Sequence, residues 1–386
     1  MSMLLGCPRW AAGFAVVALL LTSPVRAMQA APDSAPTYEF LIDRLDGMPS
    51  TLEAQALYDA AAARVQQAGT LPNPTLSYDR ENFSGSGAYG GSRSAENTVS
   101  ISQPLELWGQ RRARIEAATA EASTAGLRRD QQRWWTAGQV AKAYSAAEAA
   151  SRRFLLAEEA LALIEQDAQA VAALVKAGRE AELRGIQAQS EVESARASLD
   201  EARFVRDAAF ARLSALAMMD VPISTLANSL LDRTPVVREL SANDPLAVRV
   251  AQAEVETAQR LITVERRRAL PDVSASLGRR TFQESGDDAM TAGITLTVPL
   301  FDRNRGGIQA AYAEQRAAEA RLAAQQQIAQ ADRLAAQSAL TASNSRTRAA
   351  DKGVATAEEA YRLARIGFDA GRISQLELRS SRAALI

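Results

Sequence analysis

Three short segments of this chain recur in the same order roughly 195 residues further on, so the fold of its first half must be built a second time by its second half. Leu71-Pro72-Asn73-Pro74-Thr75-Leu76 returns as Leu270-Pro271-Asp272-Val273-Ser274-Ala275. Val99-Ser100-Ile101-Ser102-Gln103-Pro104-Leu105 returns as Ile294-Thr295-Leu296-Thr297-Val298-Pro299-Leu300. Ala177-Gly178-Arg179 with Leu183 returns as Ala370-Gly371-Arg372 with Leu376. Each repeat reads as helix, two strands, a very long helix, a turn and a helix. The first spans residues 51–227, with strands expected near 74–83 and 96–107. A linker at 228–243 leads to the second, residues 244–386, with strands near 271–282 and 290–301. Far fewer residues follow Gly371 than follow Gly178 in the first copy, so the second repeat reads as truncated at its C-terminus.

The strands alternate with period two. Val99 and Ile101 point to one face and Thr98, Ser100 and Ser102 to the other, while Ile294, Leu296 and Val298 oppose Thr295 and Thr297. Such alternation fits a half-buried strand of a soluble sheet or a barrel strand with lipid outside and water inside. Four short strands separated by long helices cannot make a sandwich, and alone they leave open edges. Closing them into a barrel takes several chains, with Val99, Ile101, Ile294, Leu296 and Val298 facing lipid.

No proline interrupts the sequence from Gly109 to Lys176 or from Asn304 to Phe368. At 1.5 Å per residue, each run makes a rod of about 100 Å, too long for a compact domain. The chain is 47% hydrophobic but only 5% aromatic, and alanine dominates the apolar positions of the rods. Small residues permit close helix approach while burying little area each, which suits a wall of many side-by-side helices. An ordinary coiled coil remains open, although its seam prefers bulkier side chains. The turns Lys176-Ala177-Gly178-Arg179-Glu180 and Asp369-Ala370-Gly371-Arg372-Ile373 end the two rods, so both lie at one depth, far from the strands. Glycine suits a tight reversal because it accepts φ > 0.

At the front, Arg9, the apolar run Trp10–Leu21, Pro24 and Val25-Arg26-Ala27 have the layout of a cleaved signal peptide over residues 1–27. The run is shorter than the roughly 20 residues a spanning helix needs. The one cysteine, Cys7, precedes the apolar run, opposite to the order that lipid modification requires. Residues 28–50 form an N-terminal segment whose short mixed stretch, Tyr38–Ile42, lacks the pattern of a regular helix.

Catalytic chemistry has little to work with. There is no histidine, and no cysteine follows Cys7, which removes the usual general base, thiol nucleophiles and common zinc ligand sets. Gly85-Ser86-Gly87-Ala88-Tyr89-Gly90 matches a dinucleotide fingerprint in letters, but it leads into a strand instead of opening a helix. Lys and Arg total 44 against 45 Asp and Glu, so no net field points to nucleic acid. The expectation is a chain that is not an enzyme and has no cofactor and no bound metal. Trp108, at a strand-to-helix junction, suits a membrane interface or simple packing at a bend. Trp134 and Trp135 suit core or inter-subunit packing.

Leu71-Pro72-Asn73-Pro74 before a strand, Ser102-Gln103-Pro104-Leu105-Glu106-Leu107-Trp108-Gly109-Gln110-Arg111-Arg112-Ala113-Arg114, and Val298-Pro299-Leu300-Phe301-Asp302-Arg303-Asn304-Arg305-Gly306 together resemble the TolC family, above all its cobalt-zinc-cadmium type outer-membrane factors. The resemblance covers most of the chain from Leu52 onward. It implies a mainly α fold with a small β part, trimerising into an α-barrel and a twelve-strand transmembrane β-barrel. The implied location is the outer membrane, with the helical portion in the periplasm. The implied partners are two further copies (a homotrimer), outer-membrane lipid, a periplasmic adaptor protein that docks on the two turns, and an inner-membrane pump. Passive conduction of heavy-metal cations is the implied function. Drug efflux or the exit duct of a type I protein-secretion system would use the same architecture. A periplasmic coiled-coil adaptor would instead need a lipoyl-like β-rich segment between helices, and none is visible.

Overall fold

The computed structural model describes residues 35–233 and 245–385. The expected signal peptide, Cys7 and most of the linker lie outside those residues. The chain folds as α1 (Tyr38–Asp43), α2 (Pro49–Ala68), β1 (Thr75–Glu81), β2 (Glu96–Leu105), α3 (Gln110–Lys176) and α4 (Glu182–Leu216). The second copy follows as α5 (Leu246–Arg268), β3 (Asp272–Phe282), β4 (Asp288–Thr297), α6 (Arg305–Asp369) and α7 (Gln375–Leu385).

The rods are present as expected: α3 has 67 residues and α6 has 65, each about 100 Å long at 1.5 Å per residue. Both begin after a residue in the left-handed region, Gly109 at φ 77° and Asn304 at φ 50°, which turns the chain from strand to helix. Asn304 also bolts the second junction together. Its Nδ2 donates to the carbonyl of Glu265 at 2.9 Å and to the Glu265 carboxylate at 2.6 Å, tying the start of α6 to the end of α5.

Three sequence expectations need correction. Tyr38–Asp43 is helical, capped by the Thr37 hydroxyl, which accepts from the Phe40 amide at 3.1 Å, and it runs through a 3-10 turn at Leu45–Gly47 into α2. A helix of six residues is too short to show a period, and tertiary burial of Leu41 and Leu45 defines it. The strands are displaced at their ends: β1 stops at Glu81, β2 at Leu105, and β3 begins at Asp272. β4 runs from Asp288 to Thr297 and not 290–301, so Val298 lies just past the strand. Pro299 has no N–H to donate and restricts the residue before it, which ends the ladder there.

The main apolar core sits midway along the first rod. Val140, Ala143, Tyr144 and Ala147 of α3 meet Phe210 and Leu213 of α4, and Leu41, Leu45, Met48 and Ile223 close over them. Spacings of three and four on α3 put these residues on one stripe. Glu148, on the same stripe, is buried. It accepts from the Ser229 hydroxyl at 2.5 Å and from the amides of Leu230 and Leu231 at 2.8 and 3.1 Å. That holds the segment after α4 against the rod.

Candidate functional site

The four strands form one antiparallel sheet in the order β1-β2-β3-β4, so the two repeats meet at the β2–β3 pair. Register decides what each face carries. Ile101 stands between Leu76 and Leu277, with Ala292 beyond; Val99 stands beside Tyr78; Leu105, Val273 and Leu296 share a row, as do Ala275 and Ile294. This face is wholly apolar in the Ile101 and Leu105 rows, carries Gln103 beside Ala275 and Arg279 beside Val99 in the others, and is largely exposed: Ile294 is 80% exposed and Ile101 48%. The sequence-predicted residues Val99, Ile101, Ile294 and Leu296 are all brought together on it.

The opposite face carries hydroxyls in register. Ser77, Ser100, Gly278 and Thr291 form one row, and Ser102, Ser276 and Gly293 another. The Ser77 and Ser100 hydroxyls lie 2.7 Å apart. A Cβ on Gly278 would sit 2.7 Å from Thr291 Oγ1 and 2.8 Å from Ser100 Cβ, so side chains crowd together on this side and only glycine fits. β1 and β4 are each paired on one side only, leaving two open edges among the described residues.

At the far end of the rods the two turns have the same geometry. After α3, the Arg179 amide donates to the Leu174 carbonyl at 2.9 Å and the Gly178 amide to that of Val175 at 3.0 Å. After α6, the Arg372 amide donates to the Gly367 carbonyl at 2.8 Å and the Gly371 amide to that of Phe368 at 2.9 Å. Both are Schellman motifs with glycine at φ 67°. Lys176, Ala177, Gly178 and Arg179 are exposed, as are Asp369, Ala370, Gly371 and Arg372; Glu180 and Ile373 are half-buried. Ile373 folds back over Gly367, where an added Cβ would meet its side chain at 3.2 Å.

Sequence reading missed what holds the turns side by side. Arg382 of α7 is 6% exposed at its side chain and pairs with Asp167 of α3 and, at 3.1 Å, with Glu191 of α4. Arg379, one turn earlier, also pairs with Glu191. The repeat pattern gave no hint of this, because the partners come from different helices of different repeats.

Trp108 is 41% exposed, and its Nε1 donates to the Pro271 carbonyl at 2.7 Å, linking the β2–α3 junction of one repeat to the α5–β3 junction of the other. Trp134 and Trp135 are 66% and 58% exposed, so neither belongs to the core of a single chain. The glycine-rich segment lies in the β1–β2 loop, with a 3-10 turn at Gly87–Tyr89 and no long helix after it.

A family model described as outer membrane efflux protein matches residues 43–217 and 236–386, nearly the whole of both repeats. The chain belongs to the outer membrane efflux protein family. Within that family it is 39% identical over 309 residues to the nickel-cobalt-cadmium resistance protein NccC of Alcaligenes xylosoxydans xylosoxydans, covering 79% of this chain and 70% of the relative. It is 36% identical over 298 residues to the nickel and cobalt resistance protein CnrC of Cupriavidus metallidurans, covering 77% and 71%. Solved outer-membrane channels share the fold. The open-state MtrE channel of Neisseria gonorrhoeae superposes with TM-score 0.73 at 22% identity, over 91% of this chain and 84% of that one. VceC of Vibrio cholerae gives 0.72 at 20%, over 90% and 89%. The protein is therefore an outer-membrane efflux protein with the fold of the solved outer-membrane channels, and its fold and family are those of channel proteins rather than enzymes.

Proposed function

We propose that three copies of this chain close a conduit that passes heavy-metal cations from the periplasm to the exterior, working with a periplasmic adaptor and an inner-membrane pump. The observation that carries the reading is the sheet. One face is mostly apolar and exposed, the other bears hydroxyls in register, and both edges are open among the described residues. Copies joined edge to edge bury those edges, turn the apolar face to lipid and line a pore with hydroxyls. Each chain supplies four strands and two rods, so trimers give a twelve-strand barrel above a helical one. The hydroxyl lining is a poor binder of soft metals and suits a passive duct, in which the pump supplies the energy.

The turns at Lys176–Glu180 and Asp369–Ile373 form the periplasmic mouth and dock the adaptor's helical tips through exposed backbone at Gly178 and Gly371 and the flanking Arg179 and Arg372. Their matching geometry supports this role: each protomer offers two copies of one surface. The metal assignment draws on the resistance proteins named above. A strain lacking the gene, grown on nickel, cobalt, cadmium and zinc salts with drugs and bile salts alongside, tests it. Sensitivity to metals that is cured by the restored gene is the expected result; sensitivity to drugs or bile salts alone would replace the substrate class.

A further inference from the structure

All four strand–helix junctions fall at one end of the sheet. The register places the start of β1 beside Ser102, the end of β2 beside Val273 and the start of β3 beside the end of β4. The segments 68–75, 105–114, 265–272 and 297–305 therefore make one collar. It contains the arginines Arg111, Arg112, Arg114, Arg266–Arg268, Arg303 and Arg305, against the carboxylates of Glu106, Glu265, Asp272 and Asp302. At the other end of the sheet, segments 80–97 and 279–288 hold Arg80, Arg93, Arg279 and Arg280 against Glu81, Glu96, Glu284, Asp287 and Asp288. One end is strongly basic and the other slightly acidic.

Internal pairing leaves much of the basic charge uncompensated. Arg112, Arg114 and Arg268 meet Glu116, Glu106 and Glu265. Arg111 spends its Nε on the Gly69 carbonyl, and Arg266 lies over the Tyr312 ring. Arg267, Arg303 and Arg305 are exposed and have no carboxylate within salt-bridge distance among the described residues. Directly beside them the apolar sheet face continues into Leu107, Val298, Leu300 and Phe301, which are 60%, 51%, 63% and 100% exposed. Exposed apolar side chains rimmed by unpaired guanidinium groups are what a bilayer's hydrocarbon edge and phosphate layer would each select.

We propose that this arginine collar binds the anionic phospholipid headgroups of the leaflet facing the periplasm, fixing the depth of the barrel and holding the rods upright beneath it. The proposal rests on the barrel reading above, which supplies the leaflet. Guanidinium suits phosphate because its fork can make two parallel hydrogen bonds.

The test follows the full chain, extracted in detergent, as it partitions into vesicles of phosphatidylcholine alone or with about a third phosphatidylglycerol. The wild type should prefer the anionic vesicles, with the preference fading as salt is raised past about 0.1 M. Arg267→Gln, Arg303→Gln and Arg305→Gln combined should lower that preference by roughly fivefold for each arginine removed. A control with the same charge change on the exposed rod, Arg333→Gln, Arg346→Gln and Arg365→Gln, should keep it. Entry into both vesicles without preference would overturn the collar alone, as would equal loss in the control or an oligomer defect with the preference intact. Failure to enter either vesicle would overturn the barrel reading and the collar with it.

Discussion

The α3–α4 and α6–α7 hairpins end in the same turn yet are held in different ways. In the first, α3 buries residues along much of its length, from Ala113 and Ala117 through Val140, Tyr144 and Phe154 to Val171. In the second, Ala311 and Ala318 are the buried residues of α6, and every residue from Gln330 to Thr356 is exposed. Identical backbone turns thus cap one rod stabilised within the chain and one whose middle has no partner among the described residues. Intrinsic helix preference of an alanine-rich sequence keeps α6 helical along that stretch.

Over the described residues α7 offers its rod 11 residues where α4 offers 35, so its ion pairs should matter most to the contact seen. Arg382→Met leaves half-buried Asp167 without its partner and Glu191 with Arg379 alone, a change expected to weaken the attachment of α7 by about 3–5 kcal/mol. Hydrogen exchange should then show loss of protection in α7 while α3 and α4 keep theirs. Equal loss in both hairpins would mean that they share one cooperative unit.

The first hairpin should respond most to Glu148. Burial pushes this carboxyl up, but the Ser229 hydroxyl, the Leu230 and Leu231 amides and Arg152 outweigh it and hold it below its ordinary value of 4.5. Its contribution is complete above pH 4.5 and is lost as pH falls through the depressed value. Glu148→Gln should cost about 1–3 kcal/mol at neutral pH and flatten the acid limb of a stability profile. An acid limb unchanged by the substitution would assign that limb to other groups.

Smaller and matched effects are expected at the two turns. Gly178→Ala and Gly371→Ala each force a side chain into the left-handed region, at about 1–2 kcal/mol. Thermal unfolding should show similar losses for both. A clear excess at Gly371 would show that the loosely held hairpin depends more on its turn.

Much of this architecture was legible in the sequence because it rests on local rules. Proline-free runs mark the rods, alternation marks the sheet faces, and paired glycines mark the turns. The six-residue helix at Tyr38–Asp43 escaped because a stretch that short shows no period and its helicity follows from burial of Leu41 beneath the first rod. Arg382 escaped for a similar reason. Its meaning depends on Asp167 and Glu191, each about 200 residues away, and nothing around it distinguishes a buried arginine from a solvated one. Val298 was misplaced by one position because alternation continues past the point where Pro299 ends the ladder.

The central claim is that the apolar face of the sheet meets lipid while the hydroxyl face lines water. The chain has one cysteine, Cys7, so single thiols can be placed in a Cys7→Ser background and probed in isolated outer membranes with a charged, water-soluble thiol reagent. Ser100→Cys and Thr295→Cys should be labelled readily, and Ile101→Cys and Leu296→Cys should be protected until detergent is added. Rapid labelling at Ile101 and Leu296 in intact membranes, with Ser100 and Thr295 protected, would contradict the account.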